Sequence, residues 1–259
     1  MAWHVRGFFI SLGQKSIITI NMYEYQGLQD VFFLMLYGMA GFFALLACLY
    51  LLFRRGNAFV GEEIRSSRVL RRRTAAFMAA IVASHVWWYV LGIYWLADDR
   101  LVRNITTILL DYITLVPLVM AVLLAMLQDR RRPLWPWLLA LVPIVVAAVV
   151  GIAQRSTFWG YEVVYYWLLA VIVVFITYYI YALRQYGRWL NDNYADLERK
   201  EVWQSLVFAI TLLMVYAIYT SNAGELMREY LSQVITIVII GFLLWRVETL
   251  QELESEEYE

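Results

Sequence analysis

Apolar residues gather in seven long stretches between Val31 and Val247, each bounded by charged or turn-forming residues: Val31–Phe53, Thr74–Leu96, Ile105–Leu127, Leu134–Ala153, Val163–Leu183, Val202–Thr220 and Tyr230–Val247. About 20 apolar residues let a helix cross the hydrocarbon core while satisfying its own backbone hydrogen bonds. The runs lack the period-two alternation of transmembrane β-strands. The pattern therefore predicts an all-α polytopic membrane protein, a bundle of seven transmembrane helices. Residues 31–247 form the transmembrane domain, residues 1–30 a tail before it, and residues 248–259 an acidic end.

Charge sets the expected orientation. With the N-terminus outside, the inner connections hold Arg54, Arg55, Arg65, Arg68, Arg71, Arg72, Arg73, Arg130, Arg131, Arg132, Arg184, Arg188, Arg199, Lys200 and Arg246, fifteen of the 21 basic residues. Positive charge collects on the cytoplasmic side, so the expected arrangement is N-out and C-in, in a bacterial inner membrane. The bilayer is then the first partner. Composition agrees: 63% hydrophobic and 16% charged residues in 259 is far from the balance of a water-soluble domain. Residues 1–27 lack a clear signal peptide, and Met22 is an alternative start.

Candidate chemistry is sparse. Cys48 is the only cysteine, and the sequence has no HExxH and no glycine-rich phosphate loop, so neither an enzyme nor a cofactor is expected. Lys15 and Lys200 are the only lysines and neither lies mid-span, which excludes a retinal Schiff base. Small residues recur every fourth position at Ala75, Ala79 and Ala83, with Ala76, Ala80 and Ser84 beside them, as close helix packing requires. Pro117 and Pro143 interrupt neighbouring spans rather than matching halves, so the repeat signature of many transporters is missing.

Ionisable residues inside spans stand out, because placing charge in lipid is costly. His85 and Asp111 should face the bundle. His85, Trp88 and Tyr89 share a helix face by the i, i+3, i+4 rule. With Asp111, Tyr112, Tyr165, Tyr166 and Tyr216 they are the candidate lining of an outward-opening ligand cavity. Aromatic residues also gather at membrane boundaries for reasons of solvation alone. Helical rise places His85 and Asp111 ~7 Å apart in depth, so a direct pair is not expected and water or tyrosine would bridge them.

The segment Arg184–Gln204 reads as a turn at Asn191–Asn193 followed by a helix running into the sixth span, with Asp196 and Lys200 at i, i+4. Val247, Leu250 and Leu253 are spaced to prolong the last helix as a cytoplasmic stalk, with an acidic tail as the other reading. The phrase Trp189-Leu190-Asn191-Asp192-Asn193-Tyr194, the sevenfold hydropathy and the terminal Trp245-Arg246-Val247-Glu248 resemble the membrane module of AraC-type transcriptional regulators of Bacteroidota. The resemblance covers residues 22 to 259 and implies a sensor half joined to a cytoplasmic helix-turn-helix output. After Val247 only twelve residues follow, strongly acidic, so direct nucleic-acid binding by this chain is not implied.

These readings lead to a transmembrane sensory or regulatory module that couples ligand, lipid or proton sensing to a cytoplasmic partner or output domain, acting alone or as a homodimer. Trp189, Asp196, Lys200 and Arg246 are the expected coupling residues. The alternative is a small transporter or channel using His85 and Asp111 in a polar pathway.

Overall fold

The computed structural model describes residues 28–54, 66–91, 100–154, 160–195, 197, 200–220 and 225–253. Among these there is no strand, and the helices follow in order: α1 (Leu28–Phe53), α2 (Arg68–Val90), α3 (Arg100–Met126), α4 (Trp135–Ala140), α5 (Val142–Gln154), α6 (Gly160–Asn193), α7 (Trp203–Thr220) and α8 (Glu225–Thr249). Among the described residues five stretches are long and apolar enough to cross a membrane: Val31–Phe53, Ile105–Met126, Trp135–Gln154, Tyr166–Asn193 and Tyr230–Thr249. Of the two other predicted spans, residues 74–90 and 203–220 are also helical. However, α2 opens on Arg68, Arg71, Arg72 and Arg73, and the described apolar part of α7, Trp203–Met214, is short.

Two compact units divide the chain, residues 1–39 and 40–259. In the first, the opening turns of α1 bring the Phe33 and Tyr37 rings to 6.0 Å. In the second, α1 buries Ala40, Ala44, Ala47, Cys48 and Leu51, one face at helical spacing, while Leu45, Leu46, Leu49 and Leu52 are exposed. An apolar outer face of this kind is compatible with a bundle in lipid.

Helices α2 and α3 form the most extensive pairing, α3 packs on α5, α5 on α6, α6 on α7, and α8 returns to α2 and α7. The small-residue face predicted on α2 is not one contact face: Ala75 and Ala80 are buried, Ala76 and Ala79 are exposed, and Ala83 is intermediate. Larger residues share the buried band with them, including Leu70, Phe77, Met78 and Ile81.

Proline accounts for the split between α4 and α5. Pro143 has no N–H to offer the carbonyl of residue 139 and its ring crowds that turn. The helix breaks at Leu141, whose N–H bonds to Leu138 O at 3.1 Å. Pro117, by contrast, lies inside an unbroken α3.

The large buried cluster sits towards one end of the bundle. It joins Leu51, Leu70, Met78, Met126, Tyr179, Tyr186, Leu243, Val247, Leu250 and Leu253. This is also where the arginines collect, and we refer to it as the basic end. A smaller cluster of Leu141, Ile144 and Leu168 packs with Leu109 and Tyr112 elsewhere on α3.

Two local expectations are corrected at the basic end. α6 continues through Asn193, whose amide Nδ2 donates to Trp189 O at 2.8 Å and closes the final turn. No helix follows among the described residues 194, 195, 197 and 200–202. Residues 250–253 also differ from a stalk. α8 stops at Thr249, and Leu250 and Leu253 are buried against the bundle. The side chain of Gln128 holds this end, its Nε2 donating to Gln251 O at 2.9 Å and its Oε1 accepting from Leu253 N–H at 2.9 Å. Burial of the Val247, Leu250 and Leu253 side chains, together with these two backbone bonds, favours docking over extension into water.

Candidate functional site

Asp111 is the focus of the first polar cluster. It lies on α3, and three donors on α2 reach it: Ser84 Oγ to Oδ1 at 2.7 Å, Trp87 Nε1 to Oδ1 at 3.1 Å and Trp88 Nε1 to Oδ2 at 2.8 Å. Residues 84, 87 and 88 are i, i+3 and i+4, so one face of a helix supplies all three. An indole N–H can only donate and a carboxylate oxygen accepts readily, which makes the match one of type as well as position. Both carboxylate oxygens are occupied.

His85 points elsewhere. Its Nδ1 lies 2.8 Å from Ile81 O on its own helix, and its Nε2 lies 3.1 Å from Gln233 Oε1 on α8. A carbonyl only accepts, so Nδ1 carries a proton. A neutral ring then accepts at Nε2 from the amide NH2 of Gln233, whereas a doubly protonated ring donates to the amide oxygen. Close packing from α1 fixes the ring: a Cβ on Gly41 would stand 3.4 Å from its Cγ and Cδ2.

The face of α2 that meets Asp111 is Ser84, Trp87 and Trp88, one residue round from the His85, Trp88 and Tyr89 face expected to line a cavity. His85 and Asp111 share no hydrogen bond and serve different neighbours. Of the remaining predicted lining residues, Tyr89 and Tyr166 are exposed, at 52% and 65%. Tyr112 packs with the Leu141–Ile144–Leu168 cluster. The side chains of Tyr165 and Tyr216 lie outside the described residues. The structure thus brings together Trp88 and Asp111 from the predicted set and adds Ser84 and Trp87, while Gln233 joins His85. A serine three residues before a tryptophan, and a glutamine in an apolar run, are the sequence signals that point to them.

At the basic end α2 meets α8 a second time. Glu248 is 1% exposed, and its Oε1 accepts from Tyr50 Oη at 2.6 Å and lies 3.9 Å from Arg71 Nη1. Arg71 in turn donates through Nε to Leu51 O at 2.9 Å and lies over the Tyr50 ring at 5.4 Å. Three helices, α1, α2 and α8, meet in this contact.

The predicted coupling residues lie nearby. Trp189 stacks on Tyr186 at 5.9 Å and meets Tyr194 edge-on at 5.7 Å. The Lys200 ammonium lies 5.2 Å above the Tyr194 ring, and the Lys200 carbonyl accepts from Tyr186 Oη at 3.0 Å. Arg246 donates to Glu201 O at 2.6 Å. Asp196 lies outside the described residues. Neither a family model, nor a curated protein, nor a solved structure matches this chain.

Proposed function

We propose that the chain is a seven-helix sensory or regulatory module, N-out and C-in in a bacterial inner membrane, with α2 and α8 as its coupling element. The observation that carries this reading is that the same two antiparallel helices make two separate polar contacts. His85 meets Gln233, and Arg71 meets Glu248. Fourteen residues separate the pair on α2 and fifteen the pair on α8, so the contacts lie roughly 21 Å apart along both helices. A ligand, lipid or proton that changes His85–Gln233 shifts one helix against the other, and the displacement reaches the basic end, where α8 and the docked residues 250–253 offer a surface to a cytoplasmic partner. Coupling of this kind requires a differential interaction with two states. The alternative reorientation of the Gln233 amide supplies one.

Transport through Asp111 is the weaker reading, since its oxygens would first have to release three donors. Catalysis, a cofactor and direct nucleic-acid binding form no part of the proposal. The test is thermal stability of the detergent-purified chain from pH 5 to 8 and against a small-molecule library, in wild type, His85→Ala and Gln233→Ala. A proton or ligand response present in wild type and abolished in both variants is expected. Equal responses in all three would overturn the proposal.

A further inference from the structure

We infer that Arg246 is the centre of a phosphate-binding site at the basic end. The inference stands on Arg246 and its surroundings alone, and holds whether or not α2 and α8 relay a signal.

Arg246 is 3% exposed. Its Nη2 donates to Glu201 O, its guanidinium lies 5.5 Å from the ring of its neighbour Trp245, and its Nε has no hydrogen-bond partner. Buried cations are normally matched by an acid, because removal from water penalises an uncompensated charge. The two other buried arginines follow that rule: Arg71 faces Glu248, and Arg132 is held by both oxygens of Asp129 at 2.6 and 2.9 Å. For Arg246 no acid among the described residues does this. Glu248 is turned to Tyr50 and Arg71, Asp129 is engaged by Arg132, and Glu201 lends its carbonyl while remaining exposed.

The neighbouring groups do not supply the missing charge either. Tyr179 and Tyr186 are the side chains that interact electrostatically with Arg246. The Tyr186 hydroxyl donates to Lys200 O. Tyr179 Oη lies 2.6 Å from Ser205 Oγ, which itself donates to Val202 O, so Tyr179 is the donor of that pair. Both are neutral phenols with their protons already placed. Elsewhere at the basic end Arg130, Arg131, Arg184 and Arg188 are exposed, and Arg130 reaches Gln185 at 2.6 Å rather than an acid. Positive charge at that end raises the local concentration of anions.

Phosphate is the anion that fits. A guanidinium with a free Nε offers a planar fork that matches phosphate oxygens, and phosphate groups are the commonest anions at a membrane boundary. The phosphate can come from a lipid headgroup or from solution, and the experiment separates the two. The full chain is held in maltoside detergent, which carries no phosphate. Its Tm is followed while inorganic phosphate, or phosphatidic acid in mixed micelles, is titrated against chloride at equal ionic strength.

A saturable rise of about 5–10 °C is expected at a hundredfold excess over Kd. Response to inorganic phosphate identifies a soluble ligand, and response to phosphatidic acid alone a lipid. Arg246→Gln should lose the rise, with a Tm in chloride equal to or above wild type because the lone buried charge is gone. Arg72→Gln, an exposed arginine on α2, should keep it. If Arg246→Gln does not fold, Arg246→Lys, which retains the charge but not the fork, should weaken the response at least tenfold. No rise beyond chloride in wild type, or an undiminished rise in the Arg246 variants, would overturn the inference.

Discussion

Helix α2 meets a carboxylate towards each of its ends, and the two are held differently. Asp111 takes three neutral donors from a single face, binding α2 to its neighbour α3 alone. Glu248 accepts from the Tyr50 phenol and faces the Arg71 guanidinium at 3.9 Å, too far for a direct hydrogen bond, and it gathers α1, α2 and α8 into one buried contact. Saturating a carboxylate with short neutral donors makes a stiff joint between two helices. Compensating one with a cation set slightly apart makes a junction of three, stabilised chiefly by the cost of leaving either charge alone. In the proposed relay, α2 would have a fixed joint at one end and a junction sensitive to displacement at the other.

The comparison breaks first at Glu248. Glu248→Ala leaves Arg71 buried with no acid and should lower unfolding stability by about 3–5 kcal/mol, measured by denaturation in detergent. A loss below 1 kcal/mol would mean that the contact is ornamental to the fold. Asp111→Asn should cost less, about 1–3 kcal/mol, because one amide oxygen still accepts and a single donor loses its partner. Trp87 and Trp88 provide a second readout: their fluorescence should shift in Asp111→Asn and stay unchanged in Glu248→Ala. The reverse pattern would show that the two carboxylates are not separate sites.

Much of the helical frame was legible because hydropathy and proline act locally. The apolar runs place the long helices, and Pro143 falls where the helix between Trp135 and Gln154 breaks. The site was legible in part. Asp111 and His85 stand out as polar residues in apolar runs, but choosing between Ser84–Trp87–Trp88 and His85–Trp88–Tyr89 requires helix rotation to be known to one residue. Two adjacent faces of α2 both look suitable from spacing alone. His85 is diverted because its Nδ1 bonds to the preceding turn, an outcome set by side-chain rotation rather than by pattern. The docking of the chain end by Gln128 was not legible, since a side chain bonding to backbone groups 123 and 125 residues away leaves no periodic trace. The end of α6 at Asn193 is similar. Asn-Asp-Asn has turn chemistry, and here the amide of Asn193 closes the helix instead of interrupting it.

The central claim is that α2 and α8 carry displacement from His85–Gln233 to Arg71–Glu248, and a double-mutant cycle between His85→Ala and Glu248→Gln measures it directly. Sites this far apart, with no shared partner, normally add to within about 0.3–0.5 kcal/mol. The account predicts an interaction energy of about 1 kcal/mol between the two substitutions, reduced in the background of Gln233→Ala, and simple additivity would contradict it.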